Sequence, residues 1–299
     1  MKILLFGESG QVGWELQRSL APLGEVIAPT RDAAGDITGD ISNLDALATT
    51  IRRLQPDIIV NAAAYTAVDK AETAPALAHT INAQAPGVMA AEARKLNAAW
   101  LVHYSTDYVY DGSGSTPWIE TSPTGPMSVY GRTKLEGDKH VAAWHKHLIL
   151  RTSWVYAARG QNFAKTMLKL AKERDSLKVI ADQIGAPTGA ELLADVTAHA
   201  LRTLHAKPEL AGLYHLAAGG ETSWHGYACH VIEFARRQGV EIKLKAADIK
   251  PIPATEYPLP AVRPYNSRLD TRKVKAAFGM NLPDWELGVE RMLREILSL

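Results

Sequence analysis

A short apolar run, Ile3 to Phe6, passes directly into Gly7-Glu8-Ser9-Gly10-Gln11-Val12-Gly13. Beyond it Trp14, Leu16, Leu20 and Leu23 recur at roughly helical spacing. The order strand, glycine turn, helix starts a parallel α/β unit and constrains the fold more than any other stretch. Glycines let the backbone turn tightly and approach a pyrophosphate, which the helix N-terminus holds through free N–H groups and its dipole. The spacing is G-x-x-G-x-x-G rather than G-x-G-x-x-G, and a purely structural turn uses the same residues. Its position after an N-terminal strand favours a dinucleotide, with Gly7, Gly10, Gln11, Val12 and Gly13 as contacts.

A second strand, Glu25 to Pro29, runs into Thr30-Arg31-Asp32. Arg31 at that point favours a 2′-phosphate, because guanidinium pairs bidentately with phosphate. NADPH is therefore the expected cofactor, and Asp32, one position on, leaves NADH as the alternative. In Gly39-Asp40-Ile41-Ser42, Asp40 is a partner for the adenine ring or a plain loop aspartate, with Ile41 beside it; Ser42 or Asn43 caps the next helix. A third strand, Asp57 to Asn61, opens into Ala62-Ala63-Ala64-Tyr65, small residues against which a cofactor can lie or a helix can pack. An alanine-rich helix spans Pro75 to Lys95 and carries Asn82, placed to tether neighbouring loops. The fourth strand, Ala99 to Tyr104, delivers Ser105-Thr106-Asp107-Tyr108-Val109-Tyr110 at its carboxyl end, where a hydroxyl can polarise a substrate carbonyl. There Thr106 also reads as a β-branched strand end and Asp107 as a turn former.

Tyr130-Gly131-Arg132-Thr133-Lys134 follows a Gly-, Ser-, Thr- and Pro-rich loop. Four residues apart on a helix, the phenol and the ammonium share a face. A cation beside a phenol lowers its pKa from about 10 and brings it toward a useful acid, although such pairs also arise as a half-buried aromatic beside a solvated amine. After the strand Leu148 to Arg151, the segments Trp154-Val155-Tyr156, Asn162-Phe163 and Asp182 to Thr188 read as loops that grip a substrate. Thr188 is expected to cap a helix from Glu191 to His205, and Ser223 another that ends near Gly239. Pro251 to Pro264, with its five prolines, reads as an ordered loop, and a final helix follows Pro283.

The glycine turn, Asn61-Ala62-Ala63, Ser105-Thr106-Asp107-Tyr108-Val109 and Tyr130-x-x-x-Lys134 together resemble the extended short-chain dehydrogenase/reductases. Further segments (Gly7 to Glu15, Val68 to Glu72, Tyr104 to Tyr110, Arg151 to Tyr156, Asp182 to Thr188, Arg263 to Leu269) resemble the branch that acts on dTDP-linked 4-keto-6-deoxy sugars. The resemblance implies a Rossmann-like, doubly wound parallel sheet with a smaller C-terminal substrate-binding α/β lobe. Residues 1–153 would form the cofactor domain, re-entered near 188–218, and 154–299 mainly the lobe. It implies NAD(P)H-dependent reduction of a dTDP-sugar ketone to dTDP-L-rhamnose, a precursor of lipopolysaccharide or cell-wall polysaccharide. Thr106, Tyr130 and Lys134 would be catalytic; Asp107, Trp154 and Asn162 would contact substrate, with Arg263 near the diphosphate. Some members are homodimers linked by Mg²⁺, and Glu15 and Glu191 match those positions. An epimerase or dehydratase on the same fold, or a non-catalytic nucleotide-binding regulator, are the alternative readings.

Composition narrows the partners. With 33 basic and 32 acidic residues nothing points to a nucleic acid. The single cysteine, Cys229, excludes an intrachain disulfide and a cysteine-rich zinc site. The absence of a signal-like or membrane-length apolar run gives a cytoplasmic expectation.

Overall fold

The computed structural model describes residues 1–32, 37–96 and 100–298. Its centre is a six-stranded sheet in which every pairing is parallel. The strands are β1 (Lys2–Phe6), β2 (Glu25–Ile27), β3 (Ile58–Asn61), β4 (Trp100–Thr106), β5 (His147–Thr152) and, late in the chain, Gly212–His215. Across the sheet the order is β2, β1, β3, β4, β5 and then Gly212–His215. The chain therefore reverses its winding between β1 and β3, and the crevice at their carboxyl ends is where such sheets bind ligands. The first residue expected in β4, Ala99, lies outside the described residues, and β2 ends at Ile27 rather than Pro29.

Both faces of the sheet are covered, so its strands read as continuous apolar runs. Ile3, Leu5, Val60, Val102 and Leu150 face helix α1 (Gln11–Leu20) and the helix Ala190–Ala206. Leu4, Phe6, Ile59, Leu101 and Ile149 face the other layer, in which Leu44–Leu54, Ala85–Leu96 and Val129–Ala142 lie. A second apolar cluster joins Tyr156, Leu168, Tyr227, Phe234, Trp285 and Leu293, and forms the core of the C-terminal lobe. Among the described residues no helix is long and apolar enough to cross a membrane.

Several local expectations change. The helix expected from Pro75 to Lys95 is split by a π-helical turn, Thr80–Gln84, between Pro75–His79 and Ala85–Leu96. That turn holds Asn82 inward, where it bonds both backbone groups of Tyr65 and the Thr133 hydroxyl. Asn43, not Ser42, caps Leu44–Leu54, because Ser42 is spent on Asp40. Thr188 caps nothing: its hydroxyl donates to Ala186 O and accepts from Ala218 N–H, while Gly189 occupies the N-cap position. Ser223 does cap its helix, Trp224–Arg237, at 2.9 Å from Gly226 N. Part of the proline-rich loop is a strand, Ile249–Ile252, paired with Leu177–Ile180. Pro251 is tolerated there because the pair forms a sheet of only two strands, so each strand is an edge. The supposed substrate loops also carry small strands, Val155–Tyr156 with Thr188–Gly189 and Ile184–Gly185 with Thr222–Ser223.

Candidate active site

The carboxyl ends of β1, β3 and β4 open into a cleft of about 790 Å³. Gly7 leaves β1 at φ +88°, and a Cβ there would lie 2.7 Å from Ala63 N; one on Gly13 would lie 1.9 Å from Gly7 O. Only glycines let the turn close on itself and on the β3 end. The N-terminus of α1 carries neither a side-chain cap nor an acidic residue in its first turn. Its N–H groups fit a phosphate anion. Gly7, Gly10, Gln11, Val12, Arg31, Asp40, Ile41, Ala62, Ala63 and Ala64 all line the cleft. Gly13 supports the turn from behind, and Tyr65, whose backbone N–H and carbonyl bond Asn82, is not among the residues that line the cleft. Arg31 is largely exposed on the rim, 3.9 Å from Asp40 Oδ1, an oxygen that also accepts from the Ser42 N–H and hydroxyl.

At the other end stand Thr106, Asp107, Tyr130, Lys134 and Trp154. The helix Val129–Ala142 that carries Tyr130 starts at Ser128, whose Oγ accepts from Gly131 N–H, and Glu72 accepts from Val129 N–H at 2.8 Å. Gly131 lets that helix approach the turn Asp107–Val109 that follows β4: a Cβ there would fall 2.3 Å from Tyr108 O. Burial raises the Tyr130 phenol to about 12, Thr106 offsetting part of that and the Asp107 and Asp138 carboxylates adding to it. The expectation that Lys134 lowers the phenol fails here. Its Nζ donates to Tyr104 O at 2.6 Å and stands 3.3 Å from His103 Nε2, and burial lowers the amine itself to about 8, against the pull of Asp138. Asp107 is raised by burial to about 6, with the Ser267 and Thr106 hydroxyls opposing. The Thr106 hydroxyl donates to Asp107 Oδ1 at 3.1 Å, whereas Asp107 Oδ2 has no hydrogen-bond partner.

Two expected contacts are engaged elsewhere. Arg263 forms a bidentate pair with Asp69, at 3.0 and 2.8 Å; a carboxylate already satisfies its fork, so it is not a free diphosphate ligand. Asn162 caps the helix Phe163–Glu173 and donates to Ala157 O; its neighbours Gly160 and Gln161 line the cleft instead. Glu15 and Glu191 face Arg18 at 3.3 Å and Arg291 at 3.2 Å. Among the described residues no three His, Cys, Asp or Glu side chains gather to hold a metal. Residues overlooked in the sequence are Tyr108, edge-on to Tyr130 at 5.5 Å, and Trp224, stacked on Trp154 at 3.6 Å. Trp154 has φ +49°; no sequence signal pairs two tryptophans seventy residues apart.

The family model described as the RmlD substrate binding domain matches residues 1–298. A dTDP-4-dehydrorhamnose reductase of Shigella flexneri is 57% identical over 302 residues, covering 100% of this chain and 99% of the relative. The chain belongs to the dTDP-4-dehydrorhamnose reductase family. Solved members of that reductase family share its fold. The Clostridium acetobutylicum structure superposes with TM-score 0.86 at 34% identity over 100% of both chains. The Bacillus anthracis structure, a complex with NADP, gives 0.86 at 32% identity, covering 98% of this chain and 99% of that one.

Proposed function

We propose that this chain catalyses reduction of the C4 ketone of dTDP-4-dehydro-L-rhamnose (dTDP-6-deoxy-L-lyxo-4-hexulose) to dTDP-L-rhamnose with NADPH. The observation that carries the proposal is the meeting, in one cleft, of an anion-binding glycine turn with Thr106, Asp107 and Tyr130. When bound, the reduced nicotinamide supplies hydride to C4. The forming alkoxide then needs a proton, and Tyr130, whose pKa of about 12 keeps it protonated at neutral pH, donates it. Thr106 turns its hydroxyl from Asp107 to the same oxygen, stabilising charge as it develops. The unpartnered Asp107 Oδ2 accepts from a sugar hydroxyl, and Trp154, braced by Trp224, supplies a flat wall for the sugar nucleotide. Lys134 offers charge to the ribose side of the cofactor, and Arg31 on the rim meets the 2′-phosphate.

The division at residues 153 and 154 into a cofactor half and a substrate lobe belongs to the same reading. So do a cytoplasmic location and a homodimer in which Mg²⁺ joins Glu15 and Glu191 to carboxylates of a second copy; an unchanged mass in light scattering after EDTA contradicts that dimer. Tyr130→Phe tests the chemistry: general acid catalysis contributes about 10²- to 10⁴-fold, so kcat falls by that factor while NADPH affinity is kept. An undiminished kcat refutes the assignment.

A further inference from the structure

Tyr130, Lys134 and Asp138 are spaced four apart and share one face of the helix Val129–Ala142. Asp138 is buried, as is His103, which stands on β4 opposite that face. Lys134 Nζ lies 3.3 Å from His103 Nε2, which is itself 3.7 Å from Asp138 Oδ1. That oxygen has no hydrogen-bond partner, while Oδ2 accepts from Arg151 Nε at 3.0 Å.

The imidazole has one orientation of its proton. Asn61 Oδ1 accepts from Ala63 N–H at 3.2 Å, which turns the amide nitrogen to His103 Nδ1 at 3.1 Å. Nδ1 therefore accepts, and a neutral ring carries its hydrogen on Nε2. Burial and the neighbouring Lys134 keep the ring neutral, far below its usual pKa. An N–H on Nε2 faces the Lys134 nitrogen as donor against donor while the lysine is an ammonium. Once the lysine is an amine, the same N–H has an acceptor. The other tautomer only moves the conflict to Asn61. Asp138 acts in the opposite sense, since a carboxylate one turn away favours the ammonium.

We propose that His103, oriented by Asn61, and Asp138 are opposed positioning residues that together set how tightly Lys134 holds its proton. The proposal rests on Tyr130 and Lys134 as the reductive pair, and adds what poises the lysine. The groups that face its nitrogen are His103 and the Tyr104 carbonyl from β4, and Asp138 and Tyr130 from its own helix. Arg151 on β5 lies behind Asp138, and Asp107 beyond Tyr130. The charged groups of the helices packed on the other side are engaged elsewhere: His79 with Glu136, Glu92 with Arg52 and Lys95, Arg94 with Ala143 O.

The test titrates Lys134 itself, in the full chain without substrate, by NMR of lysine labelled at Cε; Lys134→Met assigns the signal. Asn61→Asp accepts from Ala63 N–H and from a proton on Nδ1, so Nε2 becomes an acceptor for the ammonium, and the Lys134 midpoint rises by about one pH unit. His103→Phe removes the opposing donor without adding charge and moves the midpoint the same way. Asp138→Asn moves it down by about one unit. The alkaline limb of kcat/KM follows in each case. Asp138→Asn strands the buried Arg151 and tests folding hard; if it does not fold, His103→Phe and the ¹⁵N shifts of the wild-type His103 ring decide. Unmoved midpoints in Asn61→Asp and His103→Phe, or a ring protonated on Nδ1, overturn the proposal. A chain that titrates as stated yet oxidises no NADPH overturns the reduction and leaves this inference standing.

Discussion

Asp107→Asn should make the protein more stable and less active, and the size of the gain follows from the cleft. Asp107 is 2% exposed, and burial holds its carboxyl at about 6 against an ordinary 3.8. The folded chain thus holds this proton more tightly than the unfolded chain does. Stability is lost as pH rises through the window between those two values, and the penalty is complete above about 6. At about 1.4 kcal/mol per unit, ionised Asp107 costs the fold about 3 kcal/mol at pH 8, and about half of that at pH 5. Asparagine keeps an acceptor for the Thr106 hydroxyl and removes the charge. Differential scanning calorimetry should therefore show a higher Tm for the variant at pH 8, by roughly 5 °C, with a smaller gap at pH 5. In the same variant KM for the sugar nucleotide rises while the Kd for NADPH is unchanged. A variant less stable than wild type at pH 8, or a gap independent of pH, refutes the reasoning. A buried, half-satisfied carboxylate kept at a cost to stability is the expected signature of a binding group.

Two further outcomes probe the cofactor end. Gly13→Ala forces a methyl carbon to within 1.9 Å of Gly7 O, so the turn must open; NADPH affinity measured by fluorescence titration should fall at least about tenfold, as misplaced phosphate donors lose charge-assisted hydrogen bonds, and an unchanged Kd contradicts the cradle. Arg31→Ala should raise KM for NADPH and leave that for NADH nearly unchanged; wild-type kcat/KM that is equal for the two cofactors, or higher for NADH, sinks the 2′-phosphate assignment.

The parts of the site legible in the sequence are those whose geometry is local. The turn Gly7 to Gly13 and the pair Tyr130 and Lys134 are fixed by one turn and one helical repeat, and Thr106 by the end of one strand. Charge reasoning misplaced Arg263, because its satisfied fork depends on Asp69, almost two hundred residues away. Asn162 looked like a ligand, but the first turn of a helix claims it. The same limit hid Glu72 at the Tyr130 helix, Trp224 behind Trp154 and His103 beside Lys134, each joined to the site only by the fold. Asp138 was within reach, since it continues the four-residue spacing of Tyr130 and Lys134 by one more turn. The strand through Pro251 was missed because prolines argue against strands everywhere except at an edge.

The central claim is a ketone reduction that consumes its cofactor. Mixing the purified chain with NADPH and the 4-keto-6-deoxy sugar nucleotide, and following the loss of reduced-nicotinamide absorbance, tests it most directly. The account predicts one NADPH oxidised for each ketone reduced, with none oxidised when the sugar nucleotide is withheld. A sugar converted with no net loss of NADPH would identify an epimerase or dehydratase instead, and neither conversion nor oxidation would leave a nucleotide-binding protein without this chemistry.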